Sequence, residues 1–129
     1  MELTQAEALR AYAKMMNTLS VAPLEPLLAD NFTYESQWVF SALNSKKEFL
    51  NYIKPKLQAI KGAGATAFAA MGMVHACGEY QPCVVMAQNS KSSLVGIVLA
   101  RVVNNKLSRL DLCAVPPPES AERSGEYPA

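Results

Sequence analysis

A stretch of nine residues, FTYESQWVF (residues 32–40), holds the chain's single tryptophan and four aromatic side chains in all. Every second residue of it is aromatic or small, namely Phe32, Tyr34, Ser36, Trp38 and Phe40. Alternate side chains of a β-strand share one face of the sheet. The pattern therefore predicts either the wall of a pocket for an apolar molecule or the inner face of a core strand.

Arg101 interrupts an apolar run over residues 97–103. If the two asparagines before Lys106 form a two-residue turn, the hairpin register pairs Leu99 with Leu110 and puts Arg101 on their face. We expect that face to meet the helices, where a charge needs a carboxylate partner or an anionic ligand. The alternative is that Arg101 lies near the end of the sheet and reaches water.

His75, Cys77 and Cys83 form the pattern H-x-C-x5-C. This spacing matches no standard zinc motif and no fourth ligand is evident, so we expect no metal and no cofactor. In a reducing compartment we expect two buried thiols, with a disulfide across the intervening turn as the alternative.

Composition limits the possible function classes. A chain of 129 residues is expected to form one domain. Twelve basic and eleven acidic residues give a net charge of +1, which predicts no strong attraction to nucleic acid or membrane. The N-terminal segment lacks the order of a signal peptide, and three cysteines do not make a secreted disulfide framework. We therefore expect a cytoplasmic protein.

Three helices are predicted to position these side chains. Capping boxes of the form T-x-x-E and S-x-x-E precede the first helix, residues 5–19, and the third, residues 46–61. A proline opens the second, short helix over residues 23–30. Pro55 removes one hydrogen bond of the third helix, which predicts a kink or a break, and Gly62 is expected to end it.

The rest of the chain reads as strands that follow the first one at residues 32–40. Four apolar segments lie at residues 65–76, 82–89, 93–103 and 106–115. Glycines 72, 78 and 96 are predicted to mark bulges. Helices early and antiparallel strands late indicate an α+β domain over residues 1–115, and the Pro-rich residues 116–129 read as a weakly ordered tail.

These strands are more apolar than a sheet with one wet face requires, so we expect both faces to be covered. The helices would cover one face. A second copy of the chain is expected to cover the other, which predicts a homodimer through the outer sheet face.

The order of elements resembles the nuclear-transport-factor-2-like (NTF2-like) superfamily, which includes SnoaL-like polyketide cyclases and ketosteroid isomerases. The resemblance covers about residues 4–115 and is carried by the segments LLADNF, FTYESQWVF, SKKEFLNYI and VVNNKLSRLDLCAV. It implies a cystatin-like α+β cone, in which three N-terminal helices pack in a strongly curved mixed or antiparallel sheet around an apolar cavity. Functions vary across this superfamily, so the fold names no activity.

The resemblance also allows a test for isomerase chemistry. The helix tyrosine of the steroid isomerases falls on Tyr12, their carboxylate base falls on Ser36, and their acid donor falls near Leu99. A serine hydroxyl is too weak a base to take a proton from carbon. Glu35 is adjacent but should face away, unless a bulge reverses it. We therefore predict no catalytic residue.

The pocket candidates are Tyr12, Met16, Phe32, Tyr34, Ser36, Trp38, Leu99, Arg101, Leu110 and Leu112. Tyr12 is either a ligand contact or a core tyrosine whose hydroxyl finds a nearby acceptor. Ser36 is either a pocket hydroxyl or a small residue that relieves crowding.

Three functions remain open from the sequence. The chain binds a small apolar or amphipathic molecule without turnover, or it is an isomerase, cyclase or hydrolase that uses a carboxylate not yet placed, or it is an interaction module that uses its sheet and tail. We expect the first. The absence of a recognisable acid–base pair favours the first or the third function, and the aromatic strand with the predicted cavity favours the first or the second.

Overall fold

The computed structural model describes residues 2–129, apart from the side chains of residues 39–41. Over these residues the chain forms two α-helices and seven strands around one core. The helices are α1 (Gln5–Thr18) and α2 (Lys46–Gly62). The strands are β1 (Leu28–Ser36), β2 (Val39–Leu43), β3 (Ala67–Ala76), β4 (Glu79–Gln88), β5 (Leu94–Val103), β6 (Lys106–Cys113) and β7 (Glu122–Arg123).

All seven strands join one sheet in the order β2-β1-β6-β5-β4-β3-β7. Strands β1 and β6 are parallel and the other neighbours are antiparallel, so the sheet is mixed. Helix α1 packs against β3, β4 and β5, and α2 packs against β1. The predicted α+β layout is confirmed, and no helix among the described residues has the length and apolar character needed to span a membrane.

Both predicted N-caps start a helix, but only Thr4 forms the complete capping box, because the Glu48 carboxylate accepts from the Asn44 N–H rather than from the Ser45 N–H. The Thr4 hydroxyl accepts a hydrogen bond from the Glu7 N–H, and the Glu7 carboxylate accepts one from the Thr4 N–H. At α2 the Ser45 hydroxyl accepts from the Glu48 N–H at 3.0 Å. Pro55 does not break α2, because the carbonyl that loses its partner lies on an exposed turn where water can satisfy it.

Two predictions about helix ends are wrong. Gly62 is the last residue of α2, and the left-handed conformation falls on Gly64, with φ of +67°. The short second helix is only a 3₁₀ turn, Glu25–Leu27. It ends there because Leu28 already pairs with Leu107 of β6 and so belongs to the sheet.

The first predicted strand is in fact two strands. The chain reverses after Ser36, which pairs with Val39, and the intervening Trp38 is 61% exposed. The Ser36 hydroxyl accepts a hydrogen bond from the Trp38 N–H. The Gln37 side-chain oxygen accepts hydrogen bonds from the N–H groups of Ala114 and Val115, which follow β6. The prediction that Trp38 lines the inner face is therefore wrong. The side chain of Phe40, which the pattern places on the same face, lies outside the described residues.

The β5–β6 hairpin has the predicted turn but not the predicted register. Asn104 and Asn105 both have positive φ, as a type I′ turn requires. The register shifts after the pair Val102–Leu107. Ser108 has no partner on β5, because the next pair joins Arg101 to Arg109. Leu99 consequently faces Asp111 rather than Leu110.

The same shift pairs Arg101 with Arg109. Leu99 and Arg101 therefore lie on the outer face of the sheet, and the prediction that they face the helices is wrong. Leu110 does lie in the helix-side core, where it pairs with Ala100.

Only one of the three predicted glycine bulges is present. The β4–β5 register shifts beside Gly96. Gly72 pairs regularly with Cys83, and Gly78 belongs to a two-residue turn, with φ of +81°. Gly72 has a different role, because a Cβ there would lie 2.7 Å from the Glu122 carbonyl oxygen. It permits the C-terminal segment to approach β3.

The C-terminal segment, residues 116–129, is ordered against the sheet, so the prediction of a weakly ordered tail is wrong. Its strand β7 pairs with β3, which would otherwise be an exposed edge. The Arg10 guanidinium meets the Glu126 carboxylate at 3.0 Å, and the Asn17 amide donates to the Pro128 carbonyl at 2.7 Å. Three separate parts of the segment are therefore fixed to the domain.

The outer sheet face carries its own apolar cluster, which includes Val74, Val85 and Ile97. Ala121 of the C-terminal segment packs against this cluster. The chain thus covers part of the face for which the sequence predicts a second subunit. The homodimer itself stays a prediction.

Candidate functional site

A cavity of about 100 Å³ lies between the two helices and the inner face of the sheet. Its walls are mostly apolar. They consist of Tyr12 and Met16 from α1, Ile53, Lys56 and Ile60 from α2, and Tyr34, Ala67, Met86, Ala87, Gln88, Val95 and Leu112 from the strands.

Helical spacing explains which α1 and α2 residues reach the cavity. Tyr12 and Met16 are four residues apart and so lie one above the other on one face of α1. Ile53, Lys56 and Ile60 follow the spacing i, i+3, i+7 on α2. Each helix therefore contributes one stripe of side chains to the cavity.

The tyrosines at the cavity are held as neutral phenols. Tyr12 is 4% exposed and Tyr34 is 7% exposed. The Tyr34 ring lies 5.8 Å from that of Tyr52 and 5.4 Å from that of Phe49. Burial raises the pKa of Tyr12 well above its ordinary value. The pKa of Tyr34 is also raised, mainly by burial and to a smaller extent by the neighbouring Tyr52 phenol. Both hydroxyls therefore stay protonated at neutral pH.

The hydroxyl of Tyr12 has no hydrogen-bond partner among the described residues. Because no fully buried polar side-chain atom of the described residues lacks a partner, this hydroxyl keeps some accessible surface, and Tyr12 is one of the residues that line the cavity. Lys56 supplies a cation nearby. Its ammonium group donates to the Tyr52 hydroxyl at 3.0 Å and lies 5.3 Å from the centre of that ring.

No carboxylate lines the cavity among the residues that the structure describes. Glu35, which sits beside the position of the isomerase base, bonds to the Arg109 guanidinium at 2.8 Å on the outer face. A register shift does occur between Tyr34 and Ser36, but it leaves Glu35 outside. The arrangement can hold an apolar molecule and donate hydrogen bonds to it, and it offers no carboxylate base.

The predicted pocket residues separate into three groups. Tyr12, Met16, Tyr34 and Leu112 line the cavity. Phe32 and Leu110 are fully buried in the core, where Phe32 packs edge-on against Phe49. The other four candidates lie away from the cavity walls. The β1–β2 turn removes Ser36 and Trp38, and the bulge at Ser108 leaves Leu99 and Arg101 on the outer face.

The α2 contribution and the β3–β5 wall were missed from the sequence. Ile53 and Ile60 are recognisable as the apolar stripe of their helix, and Lys56 falls at the border of that stripe. Nothing in the sequence marks Gln88 or Val95 as cavity residues, because their place depends on the bulge beside Gly96.

The group His75, Cys77 and Cys83 does not converge. His75 stacks on Tyr80 with ring centres 4.7 Å apart. Cys77 is exposed in the β3–β4 turn, which contradicts the prediction that it is buried. Cys83 is buried as predicted, and burial raises the pKa of its thiol to about 11. All three cysteines of the chain are free thiols in this structure.

Solved structures with the same fold are found across most of the chain. An NTF2-like protein of unknown function from Cytophaga hutchinsonii superposes with a TM-score of 0.61 at 12% identity, covering 92% of this chain and 96% of that one. A SnoaL-like protein of unknown function from Burkholderia thailandensis gives 0.59 at 13% identity, covering 97% and 100%.

A third structure makes the same point. An NTF2-like protein with a cystatin-like fold from Novosphingobium aromaticivorans gives a TM-score of 0.55 at 12% identity, covering 88% of this chain and 81% of that one. No protein-family profile and no curated protein sequence matches the chain. At these identities the likeness shows the fold, which is NTF2-like as the sequence predicts, and it carries no activity.

Proposed function

We propose that this protein of NTF2-like fold binds a small apolar or amphipathic molecule in the cavity between its helices and sheet, without turning it over. The observation that carries the proposal is an apolar cavity lined by Tyr12, whose hydroxyl has no hydrogen-bond partner among the described residues. A mostly apolar wall with few polar groups is the usual composition of a small-molecule site.

The volume limits the ligand. A cavity of about 150 Å³ in an apolar core accepts benzene. The cavity of about 100 Å³ here is smaller, so it suits a short chain as it stands and a single ring once side chains move. Met16 and Met86 are flexible enough to enlarge it modestly. A four-ring steroid does not fit this volume.

The polar groups predict the orientation of the ligand. The apolar part would pack against Met16, Met86 and Leu112. A hydrogen-bond acceptor, such as a carbonyl or a hydroxyl oxygen, would face the Tyr12 phenol. Lys56 lies among the same walls and favours an acceptor that carries partial negative charge.

A thermal-shift screen with one-ring and short-chain carbonyls, phenols and alcohols tests this proposal. A compound at ten times its dissociation constant stabilises the native state by about 1.4 kcal/mol, which raises the melting temperature by about 5 °C in a domain of this size. The variant Ala67→Leu fills part of the cavity and is expected to abolish the shift.

The matched control is Trp38→Ala, since Trp38 is exposed in the β1–β2 turn. It should leave the shift intact. The proposal fails if no compound stabilises the wild type, or if Ala67→Leu responds as strongly as the wild type while remaining folded.

An isomerase, cyclase or hydrolase is the second candidate, favoured by one observation. Lys56 and Tyr52 form an ionisable pair within hydrogen-bond distance beside the cavity. Any compound from the screen is therefore incubated with the protein and followed by NMR. Conversion that disappears in Lys56→Met would replace the binding proposal with an enzymatic one, and an unchanged compound supports binding alone.

A further inference from the structure

We propose that the outer sheet face carries a second binding site, for a small molecule bearing a phosphate group, at Arg101 and Lys106. This site lies on the opposite face of the sheet from the cavity. It is independent of the function proposed above.

The strand register creates the site. Arg101 of β5 lies directly opposite Arg109 of β6, and Thr33 of the parallel strand β1 lies on the other side of Arg109. Two like charges at directly opposed positions destabilise a sheet unless something compensates them. The next row along the strands holds the acids, Glu35 and Asp111, beside Leu99.

The two acids compensate only one of the two arginines. The Arg109 guanidinium bonds to Glu35 at 2.8 Å and to Asp111 at 2.9 Å. These hydrogen bonds raise the pKa of Arg109 further above its ordinary value. No carboxylate of the described residues lies within ion-pair distance of the exposed Arg101.

A groove of about 470 Å³ opens over these residues. Arg101, Lys106 and Arg109 line it, and none of its nine lining residues is acidic. Because two carboxylates already pair with Arg109, Arg101 and Lys106 are the cations that remain for an anion. Lys106 is held in place by a hydrogen bond from its ammonium group to the Pro26 carbonyl at 3.1 Å. Thr33, with Ser108 and Asn31, adds neutral hydrogen-bonding groups to the wall.

This combination matches a phosphate group. An arginine fork binds two phosphate oxygens at once, and a lysine adds a compact point charge. The chain as a whole is nearly neutral, with a net charge of +1, so the attraction is local to the groove rather than general. The groove spans only the three strands β1, β6 and β5, which suits a small molecule.

Titration with pyrophosphate at low salt tests the site, observed by the backbone amides and the arginine side-chain Nε–H signals of the ¹⁵N-labelled protein. We expect shifts at Arg101 and Lys106, and a dissociation constant that rises at least fivefold in Arg101→Gln and in Lys106→Gln. The constant should also rise between 20 and 200 mM NaCl, because an exposed charge pair is screened.

The matched control is Lys14→Gln, which removes the same charge from an exposed position on α1. Its dissociation constant should equal that of the wild type. Equal weakening in Lys14→Gln, or an absence of shifts at Arg101, overturns the proposal. Tighter binding of a hexaglutamate peptide than of pyrophosphate would also overturn it, in favour of an acidic protein partner.

Discussion

Tyr12 is the residue on which the binding proposal depends most. It shares the buried helix face with Met16, it lines the cavity, and its hydroxyl has no hydrogen-bond partner among the described residues. The sequence left these two possibilities open, because a period of 3.6 places a tyrosine on the inner face without saying what meets its hydroxyl. The structure resolves the placement through the position of α2 and β1 around it.

Tyr12 and Tyr34 predict a loss of stability at alkaline pH. Both folded-state pKa values are raised, so the unfolded chain loses these protons first, near pH 10. Their contribution is complete below pH 10 and falls above it, by up to about 1.4 kcal/mol per pH unit for each phenol. Urea unfolding of the wild type between pH 8 and 11 should show this slope.

The variants Tyr12→Phe and Tyr34→Phe separate the phenols from other groups. Buried Cys83 and Cys113, with pKa values raised to about 11, add to the alkaline slope in every variant alike. Each phenylalanine variant should therefore show a shallower slope than the wild type. A slope that is identical in all three proteins would contradict the burial of these hydroxyls.

At the scale of elements, the C-terminal segment covers the β3 edge of the sheet, to which a strand of another chain could otherwise add. Its strand β7 closes the β3 edge, and the close approach depends on Gly72. This changes the interaction hypothesis, because a partner that adds to β3 would first have to displace residues 122–123. The composition of the segment indicated only weak order, since the contacts that fix it to the domain are with residues distant in the sequence.

Gly72→Ala is predicted to release β7 from β3. The new Cβ would lie 2.7 Å from a backbone oxygen of Glu122, so the segment must move. We expect a cost of about 1–3 kcal/mol in the free energy of unfolding. The Ser124 amide, which donates to the Met71 carbonyl at 2.9 Å, should lose its protection from hydrogen exchange.

Gly62→Ala is the control, because nothing lies within 4 Å of a Cβ at Gly62 in the last turn of α2. It should stabilise the protein by up to about 1 kcal/mol and leave Ser124 protected. Persistent protection of Ser124 in Gly72→Ala would show that β7 does not depend on this contact.

The same scale shows what the sequence could and could not predict. Local signals worked where local chemistry decides, as in the capping box of α1, the Ser45 N-cap of α2 and the Asn104–Asn105 turn. The single extra residue Ser108 has no such signal, yet it moves Leu99 and Arg101 to the other face. The turn at Trp38 was likewise hidden, because β-forming residues continue through it.

At the scale of the whole molecule, the two faces of one sheet have different surroundings. The inner face and the helices enclose a small apolar cavity, and the outer face combines the apolar cluster under the C-terminal segment with the charged groove at Arg101. The α+β order of elements and the cavity followed from the sequence and its resemblance. The division of the outer face did not, because it depends on strand register and on long-range packing.

The methionine methyl groups test most directly the claim that a small molecule binds in the cavity, because some methionines line the cavity and others do not. Met16 and Met86 line it, whereas Met15, Met71 and Met73 do not. In a ¹H–¹³C spectrum of the methyl-labelled protein with a compound from the thermal screen, we predict shifts at Met16 and Met86 and none at Met15. Shifts confined to the other methionines, or no shift at Met16 and Met86 at saturation, would contradict binding in this cavity.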